Sequence, residues 1–203
     1  EISDYAIKNR HAKDKVLHMN DYLLHPEDCM LMVVDIQERL YDAMEKGFRE
    51  VFLRNSTILL ETAAAFGIPI IVSEQYPKGL GTTLPEVKSR LGTAPRYEKL
   101  AFSCCRDAAI KAALDASARK KVIVAGIEAH VCVFQTVIDL LGAGYRVTVA
   151  DDAVCSRRAS DRSTALFEMG RAGALLYSTE MIAFALLEKA GTPQFKQLSP
   201  LFR

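Results

Sequence analysis

Between Met30 and Tyr177 the chain repeats one pattern: a short, continuously apolar run followed by a stretch with helical spacing. Met30-Leu-Met-Val-Val34 ends at Asp35, and Ile68 to Ser73 follows, with Pro69 at the strand start, where its missing N–H is tolerated. A weak run lies near Tyr97 to Leu100, and Lys121 to Ala125, Tyr145 to Ala150 and Ala172 to Tyr177 complete the series. Runs that are apolar at every position, rather than at alternate ones, are buried on both faces, as in parallel strands covered by helices. Helical spacing covers Gln37 to Lys46 and Phe48 to Phe66, where Val51, Ile58, Leu59, Ala63 and Phe66 share a face and Gly67 supplies the stop. Further helices are expected at Glu86 to Leu91, Arg106 to Ala118, His130 to Gly142, Ser160 to Met169 with Ser160 or Asp161 as N-cap, and from Thr179 onward. Glu74 to Pro85 reads as a loop and residues 191–203 as a tail. The fold class is α/β, a three-layer αβα sandwich around a parallel sheet, with an N-terminal arm over 1–28 and one domain over 29–203.

Charge narrows the partners. Twenty-six basic side chains against twenty-five acidic ones leave a formal net charge of +1, which lacks the footprint of a dedicated nucleic-acid or anionic-membrane binder. Apolar runs such as Met181 to Leu187 fall far short of the roughly 20 residues needed to span a bilayer. Five cysteines, an odd number in a chain too long for a disulfide mini-protein, favour reduced thiols in a cytoplasmic compartment. No apolar h-region precedes residue 29, whereas a trimmed mitochondrial leader remains compatible with a first residue that is Glu1 rather than Met. His11, His18 and His25 lack regular metal spacing and read as parts of a solvated arm.

In parallel α/β sheets, ligands bind at the carboxyl ends of the strands, where strand order reverses. The polar residues ending these runs are Asp35, Ser73-Glu74-Gln75, Glu98-Lys99, Glu128 to Cys132 and Asp151-Asp152. Cys132 lies six residues past Gly126, in the first turn of an expected helix. The positive helix end and unpaired N–H groups there favour a thiolate; taken alone, such a cysteine reads as a small buried hydrophobe. His130 is too near in sequence to face it. Asp35 is the better base, or an N-cap, and Lys99 lowers the thiol pKa and holds the carboxylate charged, or is a solvated surface charge. Gln75 and Tyr76 line a pocket or form turn structure, and Phe102 is a pocket wall or packs in the core. Cys29, Cys104, Cys105 and Cys155 read as core or incidental thiols. Arg157-Arg158 reads as a solvated pair or a subunit contact.

Val33-Val-Asp-Ile-Gln37, Glu98-Lys-Leu-Ala-Phe-Ser103 and Gly126-Ile-Glu-Ala-His-Val-Cys-Val133 resemble the Asp–Lys–Cys motifs of the isochorismatase-like cysteine hydrolases. The resemblance covers roughly residues 28–190, and Ser73 to Gly81 with Pro193 to Lys196 looks most like the isochorismatase-domain-containing proteins. It implies a six-stranded parallel sheet of order 3-2-1-4-5-6, the catalytic set Asp35, Lys99 and Cys132, and a cis peptide bond at Ile127–Glu128. It also implies an oxyanion hole made by the N–H groups of Glu128 and Cys132. The implied activity is cleavage of a small amide-like substrate through a Cys132 thioester, without a cofactor, in a homo-oligomer. An idle scaffold of the same fold is the alternative, and a redox role is weak without a Cys-x-x-Cys pair. Vinyl-ether-cleaving members lack the cysteine, so Cys132 argues against that activity. Nicotinamidases add an Asp/His metal cluster after the first motif, and residues 36–66 hold no histidine, so no metal is expected. Glu128 stands where other members often carry a small residue, and it faces the substrate or caps the helix.

Overall fold

The computed structural model describes residues 19–203, so His11 and His18 lie outside the described residues. The elements run β1 (Cys29–Val34), α1 (Glu38–Ala43), α2 (Arg49–Phe66), β2 (Ile70–Gln75), α3 (Pro77–Leu80), α4 (Pro85–Lys88), β3 (Arg96–Lys99), α5 (Ala108–Ala116) and β4 (Lys121–Ile127). A π-helical turn (Ala129–Val133) then leads into α6 (Phe134–Gly142), β5 (Arg146–Cys155), α7 (Ala159–Arg171), β6 (Leu175–Tyr177), α8 (Thr179–Leu187) and α9 (Pro193–Leu198). All strand pairs are parallel, in the order β3-β2-β1-β4-β5-β6. Every residue of β1 is buried, because alternate side chains enter two separate cores. Leu31 and Val33 pack with Phe52, Leu59 and Ile182 on the α2–α8 face. Met30, Met32 and Val34 pack with Ile110, Val137 and Met169 on the α5–α7 face. Order reverses between β1 and β4, which opens the crevice of this architecture at their carboxyl ends.

Several local expectations change. The buried face of α2 carries Phe52, Ile58, Leu59 and Ala63, whereas Val51 is 45% exposed. β2 starts two residues late and runs to Gln75, because Pro69 uses its carbonyl to accept from Leu31 N (2.9 Å) and Ile70 begins the ladder. The expected loop over 74–85 thus contains the end of β2 and the short α3. β5 does not end at Ala150. It advances from Val149 to Val154 while β4 advances only from Val124 to Gly126, and the bulge absorbs Asp151 and Asp152. Asp152 is therefore no strand-tip residue: its Oδ1 accepts from Thr179 N (2.8 Å) and Oγ1 (2.7 Å), tying α8 to the sheet. α7 starts at Ala159 with Arg158 as N-cap, so neither Ser160 nor Asp161 caps it; Asp161 sits in its first turn. The expected helix over His130 to Gly142 opens instead with the π-helical turn. The tail folds: Thr192 caps α9 by accepting from Phe195 N (3.0 Å), Leu198 is buried, and Arg54 donates to Leu201 O (2.7 Å).

Residues 19–28 lie along the opposite end of the sheet from the crevice. Lys121 Nζ donates to Asn20 O (3.0 Å) and Leu23 O (2.7 Å), Leu24 is buried, and His25 Nδ1 lies 3.0 Å from Glu188. Among the described residues, no helix is long and apolar enough to cross a membrane.

Candidate active site

Asp35 follows the last residue of β1 with φ 52, a left-handed conformation that aspartate tolerates better than most residues. Its N–H donates to Ser73 O (3.1 Å), and its carbonyl accepts from Gln37 N (2.8 Å). Gln37 clamps the end of β2 in turn, donating to Gln75 O (3.0 Å) and accepting from Gln75 N (2.7 Å). The Asp35 carboxylate is fully buried with both oxygens engaged: Ser73 Oγ donates to Oδ1 (2.7 Å) and Lys99 Nζ to Oδ2 (2.7 Å).

Lys99 ends β3 and is also buried, so its solvated-surface reading is overturned. Its ammonium faces Asp35, Gln75 Oε1 (2.6 Å), Ala101 O (3.3 Å) and Phe102 O (3.0 Å), which is more acceptors than it has hydrogens. Burial is the largest single influence and favours the neutral amine; the Asp35 charge and hydrogen bond together with the neighbouring Cys104 and Cys132 outweigh it and hold Lys99 above the usual lysine range. Gln75 spans Lys99 and Leu100 O (2.9 Å), so its amide is directed at the lysine.

Cys132 enters from β4 on the π-helical turn and is 5% exposed. Thr136 Oγ1 donates to Cys132 O (2.6 Å) and accepts from Cys104 N (3.0 Å), joining the turn that carries Cys132 to the segment after β3. The thiol faces Asp35. The expected low pKa is not found: burial first, then the Asp35 charge and hydrogen bond, push the thiol above its ordinary value, with Lys99 opposing. The helix-end argument fails because the sulfur is desolvated beside a carboxylate, and both effects disfavour a thiolate more strongly than a helix end favours one. The resting cluster is thus a protonated thiol beside an ion-paired carboxylate.

Cys104, expected to be a passenger, belongs to the same network. Its thiol donates to Ser73 Oγ (3.4 Å), whose own proton goes to Asp35, and burial pushes this thiol up to about 11. Nothing in the local sequence marks Ser73 and Cys104 as partners, since 31 residues separate them.

The Ile127–Glu128 peptide bond is cis. Glu128 O accepts from Val131 N (3.1 Å) and Val133 N (3.2 Å), closing the turn that carries Cys132. The Glu128 side chain makes no capping bond, which removes the cap reading; it accepts from Arg157 Nε (2.7 Å) instead. His130 points away, with Nδ1 3.0 Å from Ser156 Oγ. Tyr76 and Phe102 are both half-exposed, and exposure overturns the core reading of Phe102. Tyr76 lines a cleft of about 590 Å³ with Pro77, Lys99 and Leu100. All five cysteines are free, and among the described residues no group of three or more His, Cys, Asp or Glu is arranged to hold a metal.

Fold and site define an α/β sandwich with a buried cysteine–carboxylate–ammonium cluster where strand order reverses. The family model of the isochorismatase domain matches residues 29–181. The zebrafish (Danio rerio) isochorismatase domain-containing protein 1 is 34% identical over 169 residues, which are 83% of this chain and 59% of that protein. The chain thus spans about 59% of that relative's length. A Caenorhabditis elegans structure described as the MAR1 ribonuclease superposes with a TM-score of 0.83 at 38% identity, covering 88% of this chain and 91% of its own. The Escherichia coli YcaC gene product, described as an octameric hydrolase of unknown specificity, gives a TM-score of 0.80 at 25% identity and covers 89% of each chain. The chain belongs to the isochorismatase-like hydrolase superfamily.

Proposed function

We propose that the protein is a cysteine amidohydrolase acting on a small amide-like substrate. The observation that carries this reading is the buried Cys132 thiol facing a carboxylate whose other contacts are Lys99 and Ser73. Burial holds the Cys132 thiol protonated, so the sulfur needs a base beside it, and the Asp35 carboxylate paired with Lys99 is in place to take the proton. Asp35 takes the Cys132 proton as the sulfur attacks the carbonyl carbon. The oxyanion is received by the N–H groups of Glu128 and Cys132. Asp35 returns the proton to the departing amine, leaving a thioester, and then draws a proton from the water that hydrolyses it to acid and free thiol. Lys99 pairs with Asp35 and holds it in place throughout. Losing one oxyanion donor in such a site costs about 10²–10³ in rate. No step needs a metal or cofactor.

The YcaC gene product's octamer, together with the exposed Tyr76, Leu100 and Phe102 near the site, supports a homo-oligomer. Five free thiols fit a reducing compartment such as the cytoplasm, and the near-zero net charge fits a small metabolite better than a nucleic acid or a membrane surface.

Turnover of small primary amides, imides and ureas by the parent protein and by Cys132→Ala tests the reading. The alanine variant should fold normally and lose turnover; turnover at the parent rate would sink the assignment. Cleavage of single-stranded RNA by both proteins forms a parallel arm, because the nematode neighbour is described as a ribonuclease. RNA cleavage that survives Cys132→Ala would favour that chemistry. Parent protein that turns over none of these amides, imides or ureas would favour the idle scaffold.

A further inference from the structure

Three buried side chains connect the Asp35 carboxylate back to the backbone of Cys132, and each of them can both donate and accept. Ser73 stands on β2, Cys104 on the segment after β3 and Thr136 on α6, and none is more than 1% exposed. Cys104 Sγ donates to Ser73 Oγ (3.4 Å), and Ser73 Oγ donates to Asp35 Oδ1 (2.7 Å). On its other side the Cys104 thiol lies within hydrogen-bond reach of the Thr136 hydroxyl. That hydroxyl gives its one proton to Cys132 O (2.6 Å) and takes the Cys104 N–H (3.0 Å), which leaves one of its two lone pairs for the thiol.

The two oxygens of Asp35 are not equivalent. Oδ2 faces the Lys99 ammonium (2.7 Å), which repels an arriving proton. Oδ1, whose partner is the neutral Ser73 hydroxyl, is the oxygen left to receive one. Protonation changes what Oδ1 offers, because a carboxyl O–H accepts far more weakly than a carboxylate oxygen. The Ser73 proton then needs a new acceptor, and it is buried where water cannot supply one.

We propose that Cys104 is a positioning residue for proton transfer from Cys132 to Asp35: its sulfur takes the Ser73 proton once Oδ1 is occupied. The step is one proton transfer and two rotations. The S–H bond of Cys132 breaks and an O–H bond forms on Oδ1. Ser73 turns its proton from Oδ1 to the Cys104 sulfur, and Cys104 turns its own from Ser73 to Thr136 Oγ1. No bond within Ser73, Cys104 or Thr136 breaks, and every proton has an acceptor before and after. A thiol suits this place because it donates and accepts weakly, so neither arrangement is locked. Burial also holds the Cys104 thiol up at about 11, which keeps it neutral through the change.

The proposal rests on Asp35 as the base for Cys132, and one experiment tells the two apart. A proton moved within the cluster leaves the total proton count unchanged, so the thiolate fraction it produces is independent of pH. Alkylation of Cys132 by iodoacetamide, followed by peptide mass spectrometry between about pH 5 and 10, should therefore level off at low pH. An isolated thiol instead loses about tenfold in rate for each pH unit below its pKa. Asp35→Asn should abolish the plateau. Cys104→Val, or Cys104→Ala where valine does not fit, should lower it about three- to tenfold, the worth of one buried hydrogen bond. The rising limb at high pH should stay within about twofold, since Cys104 is neutral in both arrangements. Cys104→Ser, which keeps a group that donates and accepts, should preserve the plateau. In a Ser73→Ala background the loss should vanish, because Cys104 acts through that hydroxyl. A parent plateau untouched by Cys104→Val and Cys104→Ala, lowered as far by Cys104→Ser, or lowered equally without Ser73 would overturn the relay and leave the Asp35–Cys132 pairing standing. A parent rate that keeps falling down to pH 5, no labelling there, or a plateau that survives Asp35→Asn would remove the base reading and the relay with it.

Discussion

A lysine ammonium enclosed by one carboxylate and three neutral oxygens has a single electrostatic task, which is to compensate Asp35. Lys99→Met should therefore cost about 3–5 kcal/mol of stability by leaving that carboxylate buried and unpaired. Urea unfolding measures it, and a loss under about 1 kcal/mol would show that the pair is not buried as described. Asp35→Asn acts on the thiol instead. The Asp35 charge and hydrogen bond both raise the Cys132 pKa, so the amide should move thiolate formation to lower pH. Thiolate absorbance followed across a pH titration would report that shift, and an unchanged or higher midpoint would contradict the sign. Turnover should nevertheless fall, because the proposed base is gone. Asp35, Lys99 and Cys132 were legible in the sequence because each lies in a short local motif at the end of an apolar run. Ser73 stands at a strand end that the sequence singles out, but its bonds to Asp35 and Cys104 were not legible, since they span 38 and 31 residues.

Among the elements, β4 meets β1 most tightly at Gly126. Its φ is 140°, and a Cβ there would stand 2.1 Å from Val34 O, a backbone atom that cannot turn aside. Gly126→Ala should disrupt the β1–β4 seam and with it the placement of Asp35, giving insoluble or strongly destabilised protein. Gly67, at φ 63 with nothing near its would-be Cβ, is the control: Gly67→Ala should cost only about 1 kcal/mol. Comparable melting temperatures for the two variants would show that the close approach is not rigid. Continuous apolar runs made β1 and β4 easy to find. The length of β5 was hidden because Asp151 and Asp152 interrupt its apolar pattern, and only the Thr179 contacts explain why aspartates stand there. The Val51 error in α2 has a related origin. A lone valine fits a helical stripe in sequence, but the face that meets the sheet is set by Phe52 and Leu59.

At the scale of the whole molecule, the five cysteines act together. Burial raises each of them: Cys29 and Cys104 to about 11, Cys105 to about 12, and Cys132 and Cys155 above the ordinary thiol value. Between about pH 9 and 11 the unfolded chain loses thiol protons that the folded chain keeps, so stability must fall as pH rises through that window. The expected loss under reducing conditions is on the order of 1–2 kcal/mol for each buried thiol, read from guanidinium midpoints at pH 7, 9 and 10.5. A flat profile would show that the thiols are better hydrated than their burial indicates. The strand order carries another consequence. Asp35, Ser73 and Lys99 all precede α5, whereas Cys132 follows it. The reversal between β1 and β4 thus divides the cluster between two consecutive halves of the chain, and residues 117–120, half-buried to exposed, connect them. Opened there, the chain becomes a split reporter: neither fragment holds Cys132 together with Asp35, so recovered thiol chemistry would count reassembled pairs.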